Sequence, residues 1–336
     1  MMVAMDRMAT EVASFQHTFH QRWNFLKDPH VRALAWLLDA PDLLDTEAPR
    51  WQGRIASLGP DAAIAVKDWL LALEREPAEL HAYLNVHRFT RLGRYAENLL
   101  AWYFTHVQRL VAHGVQVRSG KEETIGEFDF LLRDKEGGQG LLHWELATKF
   151  YLLCSANPAY AKVQTADYFV GPNLADTLGA KMRKILQRQL LLGEHLAAQS
   201  VLPEPLSRAQ ALVKGWLFYR REEPVDPKTL GISAHHCRGW WCTFSELEEH
   251  IGDHAVVMPR LAWLAPARLP ASESMNAKAM RGWLERQFSE DLMPVMVATL
   301  QPSGDEMLEI DRGFVVPDDW MQRADQKLRG LSAPLN

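Results

Sequence analysis

Acidic residues lie inside two neighbouring stretches that have the composition of β-strands. Glu127 and Asp129 are two residues apart and share one face of the first stretch, and Glu145 and Lys149 share one face of the second. A carboxylate in the middle of a strand is unfavourable unless another group compensates its charge. A divalent metal ion is one such compensation, and a salt bridge to Lys149 is the simpler alternative.

These two stretches form a predicted β-hairpin. The apolar runs Phe128–Leu132 and Leu141–Leu146 flank a segment rich in turn-forming residues, Asp134–Gly140. Two short apolar runs around such a segment are typical of antiparallel strands joined by a longer loop. The hairpin would hold the acidic side chains of both strands close to one another.

An amphipathic helix is predicted before the hairpin, in the segment RYAENLLAWYFTHVQRL that follows Gly93. Leu99, Leu100 and Tyr103 are among its apolar residues. Glu97 lies close to the edge of the apolar stripe, so it either points into a site or flanks the core. A short strand at residues 115–118 separates this helix from the hairpin.

A second predicted helix follows in GPNLADTLGAKMRKILQRQLLL, with Asn173 as a candidate N-cap. Lys181, Lys184 and Arg188 recur on one face and form the most concentrated basic face of the chain. Such a face is either solvated surface or a contact for phosphate groups. Gln189 is a polar residue on the apolar face, where it either reaches a site or satisfies a buried carbonyl.

Apolar periodicity divides the chain into three parts. Residues 1–83 are predicted to be helical, residues 84–205 to contain the helices and strands described above, and residues 206–336 to mix strands with helices. The expected strands of the third part include Ala255–Leu264. The predicted fold class is therefore α+β, with an α/β core.

Composition excludes several classes of protein. The chain has 336 residues, a net charge of -5 and three cysteines. No basic field covers the whole molecule, a disulfide framework is not expected, and no apolar run approaches the ~18 residues of a membrane-spanning helix. We expect a cytoplasmic protein that does not enter a membrane.

Most common catalytic motifs are missing from the sequence. His235, His236, Cys237 and Cys242 are close together, but their spacing fits none of the common structural zinc sites. The chain has no phosphate-binding GxxxxGK[ST], no GxGxxG after a strand and no GxSxG turn. The acidic hairpin therefore remains the strongest candidate site.

The order of helix, strands and second helix resembles the PD-(D/E)XK nuclease superfamily, and within it a bacterial family of unknown function. The matching phrases span most of the chain. They are DPHVRALAWLLDAP, RLGRYAENLLAWYF, GEFDFLL, LLHWELATKFYL, VGPNLADTLGAKMRKILQRQL and PRLAWLAPAR.

The resemblance implies a restriction-endonuclease-like αβββαβ core and a nuclease that cleaves DNA or RNA. It also implies that Glu97, Asp129 and Glu145 bind Mg²⁺ or Mn²⁺, and that Lys149 orients or activates the attacking water together with the two catalytic carboxylates Asp129 and Glu145. Such an ion makes bound water a better nucleophile and stabilises the charge of the transition state. Lys181, Lys184, Arg188 and Gln189 would contact the nucleic acid.

The position of the lysine departs from the superfamily pattern Glu-x-Lys. Ala147 stands where the lysine is expected, and Lys149 lies about 13 Å from Glu145 along a regular strand at ~3.3 Å per residue. Lys181 could supply the positive charge instead. The alternative hypotheses are a nuclease fold without cleavage that binds nucleic acid or protein, and a structural protein with ordinary strand salt bridges.

Overall fold

One mixed β-sheet runs through the computed structural model of the chain, which describes residues 14–85, 89–120, 123–134, 138–154, 166–220 and 227–332. The described strands are β1 (Ile55–Ala56), β2 (Leu110–Ser119), β3 (Glu123–Arg133), β4 (Leu141–Leu153), β5 (Phe169–Val170), β6 (Leu206–Tyr219), β7 (Cys237–Thr243), β8 (Ala255–Val257), β9 (Arg268–Pro270), β10 (Val295–Ser303) and β11 (Glu306–Val316).

The main path of the sheet is β2-β3-β4-β6-β7-β11-β10-β8. The strands β2, β3 and β4 are successively antiparallel, whereas β6 and β7 run parallel to their neighbours. The short strands β1, β5 and β9 pair with β6, β4 and β11. Because β6 lies between β4 and β7, the C-terminal part of the chain continues the sheet that the acidic hairpin begins.

Most described elements of the N-terminal part are helices. The first of them are α1 (Phe15–Arg22), α2 (Pro29–Asp39), α3 (Ala62–Ala65), α4 (Lys67–Arg75), α5 (Ala78–Asn85) and α6 (Leu92–His106). Local sequence explains the start of α2, since Asp28 accepts hydrogen bonds from the backbone N–H groups of His30 and Val31, with Pro29 in the first turn.

Two helices cover opposite faces of the sheet around β4. Leu99 and Leu100 of α6 share a core with Trp144 of β4, whereas Met182 of α7 (Leu178–Gln187) shares another core with Ala147. Alternate residues of a strand point to opposite faces, so Glu145, Ala147 and Lys149 face α7. The remaining described helices are α8 (Leu196–Gln199), α9 (Ala277–Glu290) and α10 (Trp320–Ser332).

The α+β class and the antiparallel pairing of β3 with β4 are confirmed, while residues 135–137 of the predicted turn lie outside the described ranges. Several local boundaries differ from the predictions: the first site helix ends at His106 rather than Leu110, and Gln189 lies beyond the end of α7. The helix α7 begins at Leu178 with Thr177 as its N-cap, rather than at Asn173, because the Thr177 hydroxyl accepts the Ala180 N–H. The strand predicted to run to Leu264 ends at Val257. Pro259 fixes its backbone angle and lacks an N–H, so it cannot continue the ladder.

Candidate active site

The site lies where the strands β3 and β4 separate. The two strands pair from Arg133 opposite Leu141 as far as Phe130 opposite Trp144, and β4 then continues beside β6. Just beyond the last pair, the Asp129 carboxylate accepts a hydrogen bond of 2.8 Å from the backbone N–H of Leu146. The Asp129 side chain thus takes the place of the β3 backbone as the partner of the Leu146 N–H group. This bond holds the carboxylate at the opening between the strands.

Three carboxylates converge at this opening. Glu97 from α6 and Glu127 and Asp129 from β3 each offer an oxygen, and these oxygens lie within 4.8 Å of one another. Glu97 is buried, and the other two are half-buried. We call these three residues the acidic triad. Carboxylate oxygens in such a group are the ligands that Mg²⁺ and Mn²⁺ prefer.

A guanidinium group connects two members of the acidic triad. Arg94 donates through Nη1 to the Glu97 carboxylate at 2.9 and 3.2 Å, and the same nitrogen lies 2.7 Å from Oε1 of Glu127. The imidazole of His113 on β2 stacks on Phe130 and places Nε2 3.0 Å from Oε1 of Glu97. Arg94 therefore supplies positive charge at the edge of the triad.

Glu145 lies next to the triad, in a more enclosed position. It is 1% exposed. Its Oε1 is 2.9 Å from Nε2 of His143, and its Oε2 accepts a hydrogen bond from the Gln189 amide. Burial raises the pKa of Glu145, and burial together with the charges of Glu145 and Glu97 raises the pKa of Asp129. These pKa shifts follow from carboxylates crowded in a poorly solvated space.

Lys181 is the ammonium group that acts electrostatically on these carboxylates. Its charge lowers the pKa of both Asp129 and Glu145, opposing the effect of burial. Its Nζ donates to Oε1 of Gln189 at 3.2 Å, so Gln189 connects Lys181 with Glu145. Burial, and next the charge of Lys149, lower the pKa of Lys181 itself.

Lys149 has a carboxylate partner of its own. Its Nζ donates to Oδ2 of Asp176 at 2.7 Å, and the Tyr151 hydroxyl donates to the same oxygen at 3.2 Å. Lys149 lies on the face of β4 that was predicted. Because Asp176 holds its ammonium group, Lys149 interacts with the acidic side chains less directly than Lys181 does.

The other two predicted substrate-binding residues lie on the exposed side of the second helix. Lys184 is on the exposed face of α7, and Arg188 is the C-cap residue of this helix. The charge of Lys184 contributes to lowering the pKa of Lys181. The basic face predicted from the sequence therefore begins at the site with Lys181 and continues over the protein surface.

A cleft of 500 Å³ adjoins the acidic triad on the side of α6 and β2. Gly114 of β2 also lines the cleft, and its φ of +65° is a left-handed backbone conformation that favours glycine. The polar side chains that line the cleft are those of Thr90, Arg91, Arg94, Asn98, His113, Gln116 and Glu127, the last of which belongs to the acidic triad.

The structure brings most of the predicted site residues together and adds others. Glu97 and Asp129 belong to the triad, but its third member is Glu127, which is not among the ligands that the resemblance implies. Arg94, His113 and His143 were also missed. Two of them carry a sequence signal, because Arg94 precedes Glu97 by three residues on a helix and His143 precedes Glu145 by two on a strand.

The fold and the site define an α+β protein with a partly buried acidic triad where two strands separate. Residues 32–316 match the model of the family described as "Domain of unknown function (DUF1853)", and the chain belongs to this family. Neither the curated proteins nor the solved structures contain a significant match to the chain. No helix in the described ranges is long and apolar enough to cross a membrane.

Proposed function

We propose that this protein is a metal-dependent nuclease that hydrolyses phosphodiester bonds in DNA or RNA with Mg²⁺ or Mn²⁺. One observation carries the proposal: Glu97, Glu127 and Asp129 converge within 4.8 Å of one another at a strand opening, with the charge of Lys181 acting on Asp129. Three carboxylates so close together repel one another, and a divalent cation relieves this repulsion.

The order of elements around the site supports a restriction-endonuclease-like core. With the short elements β5 and α8 left aside, the succession α6, β2, β3, β4, α7 and β6 has the αβββαβ order of the PD-(D/E)XK superfamily. These four strands are adjacent in the sheet, and α6 and α7 lie on opposite faces of it. Two of the proposed ligands, Glu97 and Asp129, are those that the resemblance implies, whereas Glu127 takes the place of Glu145 from the third strand.

The residues around the opening have distinct proposed roles. The acidic triad holds the ion, which supplies an activated water and stabilises negative charge on the phosphate. Glu145, the remaining predicted ligand, is fixed beside the triad by His143 and Gln189.

The basic residues complete the proposed site. Lys181 provides the ammonium group whose charge acts on Asp129 and Glu145, and Lys149 is the second candidate for this role. Lys184 and Arg188 extend the positive surface along which a phosphate backbone would lie. Gln189 fixes the positions of Lys181 and Glu145 relative to each other, because it hydrogen-bonds to both.

A nuclease-like protein without cleavage, serving as a nucleic-acid or protein binding module, is the second candidate. Two observations favour it. Arg94 already bridges Glu97 and Glu127, and Lys149 is paired with Asp176 rather than with a catalytic carboxylate. An acidic site neutralised by the protein itself can persist without a metal ion.

Cleavage assays separate these two candidates. Labelled single- and double-stranded DNA and RNA are incubated with Mg²⁺ or Mn²⁺ and with the wild type, Asp129→Asn or Glu127→Gln. We expect metal-dependent cleavage by the wild type and a loss of at least about 100-fold in either variant, because each removes a ligand of the ion. Glu123→Gln, which removes an exposed carboxylate from the same strand, should retain activity. Binding without cleavage under every metal condition would favour the binding module.

A further inference from the structure

Arg94 has two environments within reach of its side chain. Its guanidinium bonds to Glu97 and Glu127, and the same residue lines the 500 Å³ cleft beside the acidic triad. The side chain is 49% exposed, so it is not locked in by packing. It can therefore leave the carboxylates without opening a cavity in the core.

Arg94 would compete with a metal ion for the carboxylates of the acidic triad. Hydrogen bonding to Glu127 is the largest cause of the raised pKa of Arg94, and Glu97 adds to it. A divalent ion bound by the triad would bind the same carboxylates and carry twice the charge of Arg94. Like charges repel at such short range, so the ion would weaken the bonds of Arg94 to Glu97 and Glu127.

The adjoining cleft has the chemistry of a phosphate site. Arg91 and Arg94 contribute positive charge, and Asn98, His113 and Gln116 contribute hydrogen-bonding groups. Glu127, the carboxylate in this lining, belongs to the acidic triad, and an ion bound there would neutralise it. Arginine is suited to phosphate because its guanidinium donates two parallel hydrogen bonds to two oxygens. A guanidinium released from the triad would remain in this cleft, next to the ion that released it.

We propose that Arg94 is an exchangeable counter-ion: it neutralises the acidic triad until a divalent cation binds there, and then its guanidinium binds a phosphate group of the substrate in the adjoining cleft. This inference rests on the proposed function, because it needs the triad to bind a metal ion. This exchange couples the two binding events, since phosphate binding at the cleft improves once the ion is bound.

The first test measures Mn²⁺ affinity by electron paramagnetic resonance for the wild type, Arg94→Gln, Arg94→Lys and Arg133→Gln. Removing the competing charge in Arg94→Gln should tighten Mn²⁺ binding about tenfold, whereas Arg94→Lys should stay close to the wild type. Arg133→Gln is the matched control, because Arg133 is exposed and pairs with Glu204 at the far end of β3. Unchanged or weaker Mn²⁺ binding in Arg94→Gln would overturn the proposal.

The second test measures binding of a fluorescent single-stranded oligonucleotide by anisotropy, with Ca²⁺ in place of Mg²⁺ to prevent cleavage. Ca²⁺ should increase the affinity of the wild type for the oligonucleotide. In Arg94→Gln this increase should be about five- to tenfold smaller, because the phosphate contact is missing. An equal gain in both proteins would contradict the second half of the proposal.

The outcomes also distinguish this inference from the proposed function. Absence of Mn²⁺ binding in every variant would overturn both. Tighter Mn²⁺ binding in Arg94→Gln without any cleavage by the wild type would support the counter-ion role and reject hydrolysis.

Discussion

At the scale of single residues, the partners of two lysines decide which ammonium group serves the site. Lys149 fits the superfamily pattern more closely in the sequence, but Asp176, 27 residues away, holds its Nζ. Lys181 bonds to Gln189 and acts on Asp129 and Glu145 through its charge. Side-chain pairing over such separations depends on tertiary structure, so the sequence could supply both candidates and could not choose between them.

Substitution of the two lysines tests this difference. Lys181→Met should lower kcat about 100-fold, as expected for loss of a positioned charge or proton donor, whereas Lys149→Met should lower it less because Asp176 already engages that ammonium group. Single-turnover cleavage at saturating Mg²⁺ measures both rates. The opposite ranking would assign the catalytic ammonium to Lys149, as the sequence pattern suggests.

At the scale of elements, the separation of β3 from β4 creates the site. The hairpin and its two flanking helices were predictable from apolar periodicity and turn residues. The separation was not, because it depends on β4 pairing with β6 from the distant C-terminal part and on Asp129 bonding to Leu146. For the same reason the sequence placed Glu127 and Asp129 on one face but could not show that Glu127 would meet Glu97.

The substitution Gly215→Ala tests whether the close pairing of β4 with β6 stabilises the sheet that holds the site. A Cβ at this position would lie 1.8 Å from the backbone oxygen of Lys149, so β6 has to move away from β4 in Gly215→Ala. We expect a loss of about 3 kcal/mol in the free energy of unfolding, measured with urea. Gly252→Ala, where no atom lies within 4 Å of the added Cβ, is the control. Equal stability of both variants would show that the sheet tolerates the displacement.

At the scale of the whole molecule, one sheet joins the acidic hairpin to the C-terminal strands. The core on the α6 face includes residues from Phe19 in α1 to Leu328 in α10. The buried ion pair of Glu309 and Arg312 on β11 ties this sheet to the segment before β9, since Arg312 also donates to the carbonyls of Trp263 and Ala265. Composition and periodicity predicted the fold class, but the strand order depends on long-range pairing.

Buried histidines make the stability of this assembly depend on pH. Burial lowers the pKa of His236 to about 4, while the ring bonds to Tyr219. In the unfolded chain this histidine takes up a proton below pH about 6.5, whereas the folded protein does so only near pH 4. Stability therefore falls as the pH falls through this window, by about 2 kcal/mol between pH 7 and pH 5 for this one group.

Urea unfolding at pH 7, 6 and 5 checks this expectation. His236→Gln should show a shallower loss of unfolding free energy toward low pH than the wild type, even where its stability at pH 7 is lower. His235→Gln, which alters the exposed neighbouring histidine, should keep the wild-type slope. Parallel slopes for all three proteins would exclude His236 as a source of the acid sensitivity.

The proposed function requires Glu97, Glu127 and Asp129 to hold one divalent cation together. The most direct measurement is an anomalous difference map from a crystal soaked in Mn²⁺ and collected above the manganese absorption edge. We predict a single strong peak within bonding distance of carboxylate oxygens from all three residues, with the Arg94 guanidinium moved into the adjoining cleft. A map at saturating Mn²⁺ with no peak among these carboxylates, and with Arg94 still bonded to Glu97 and Glu127, would contradict the claim.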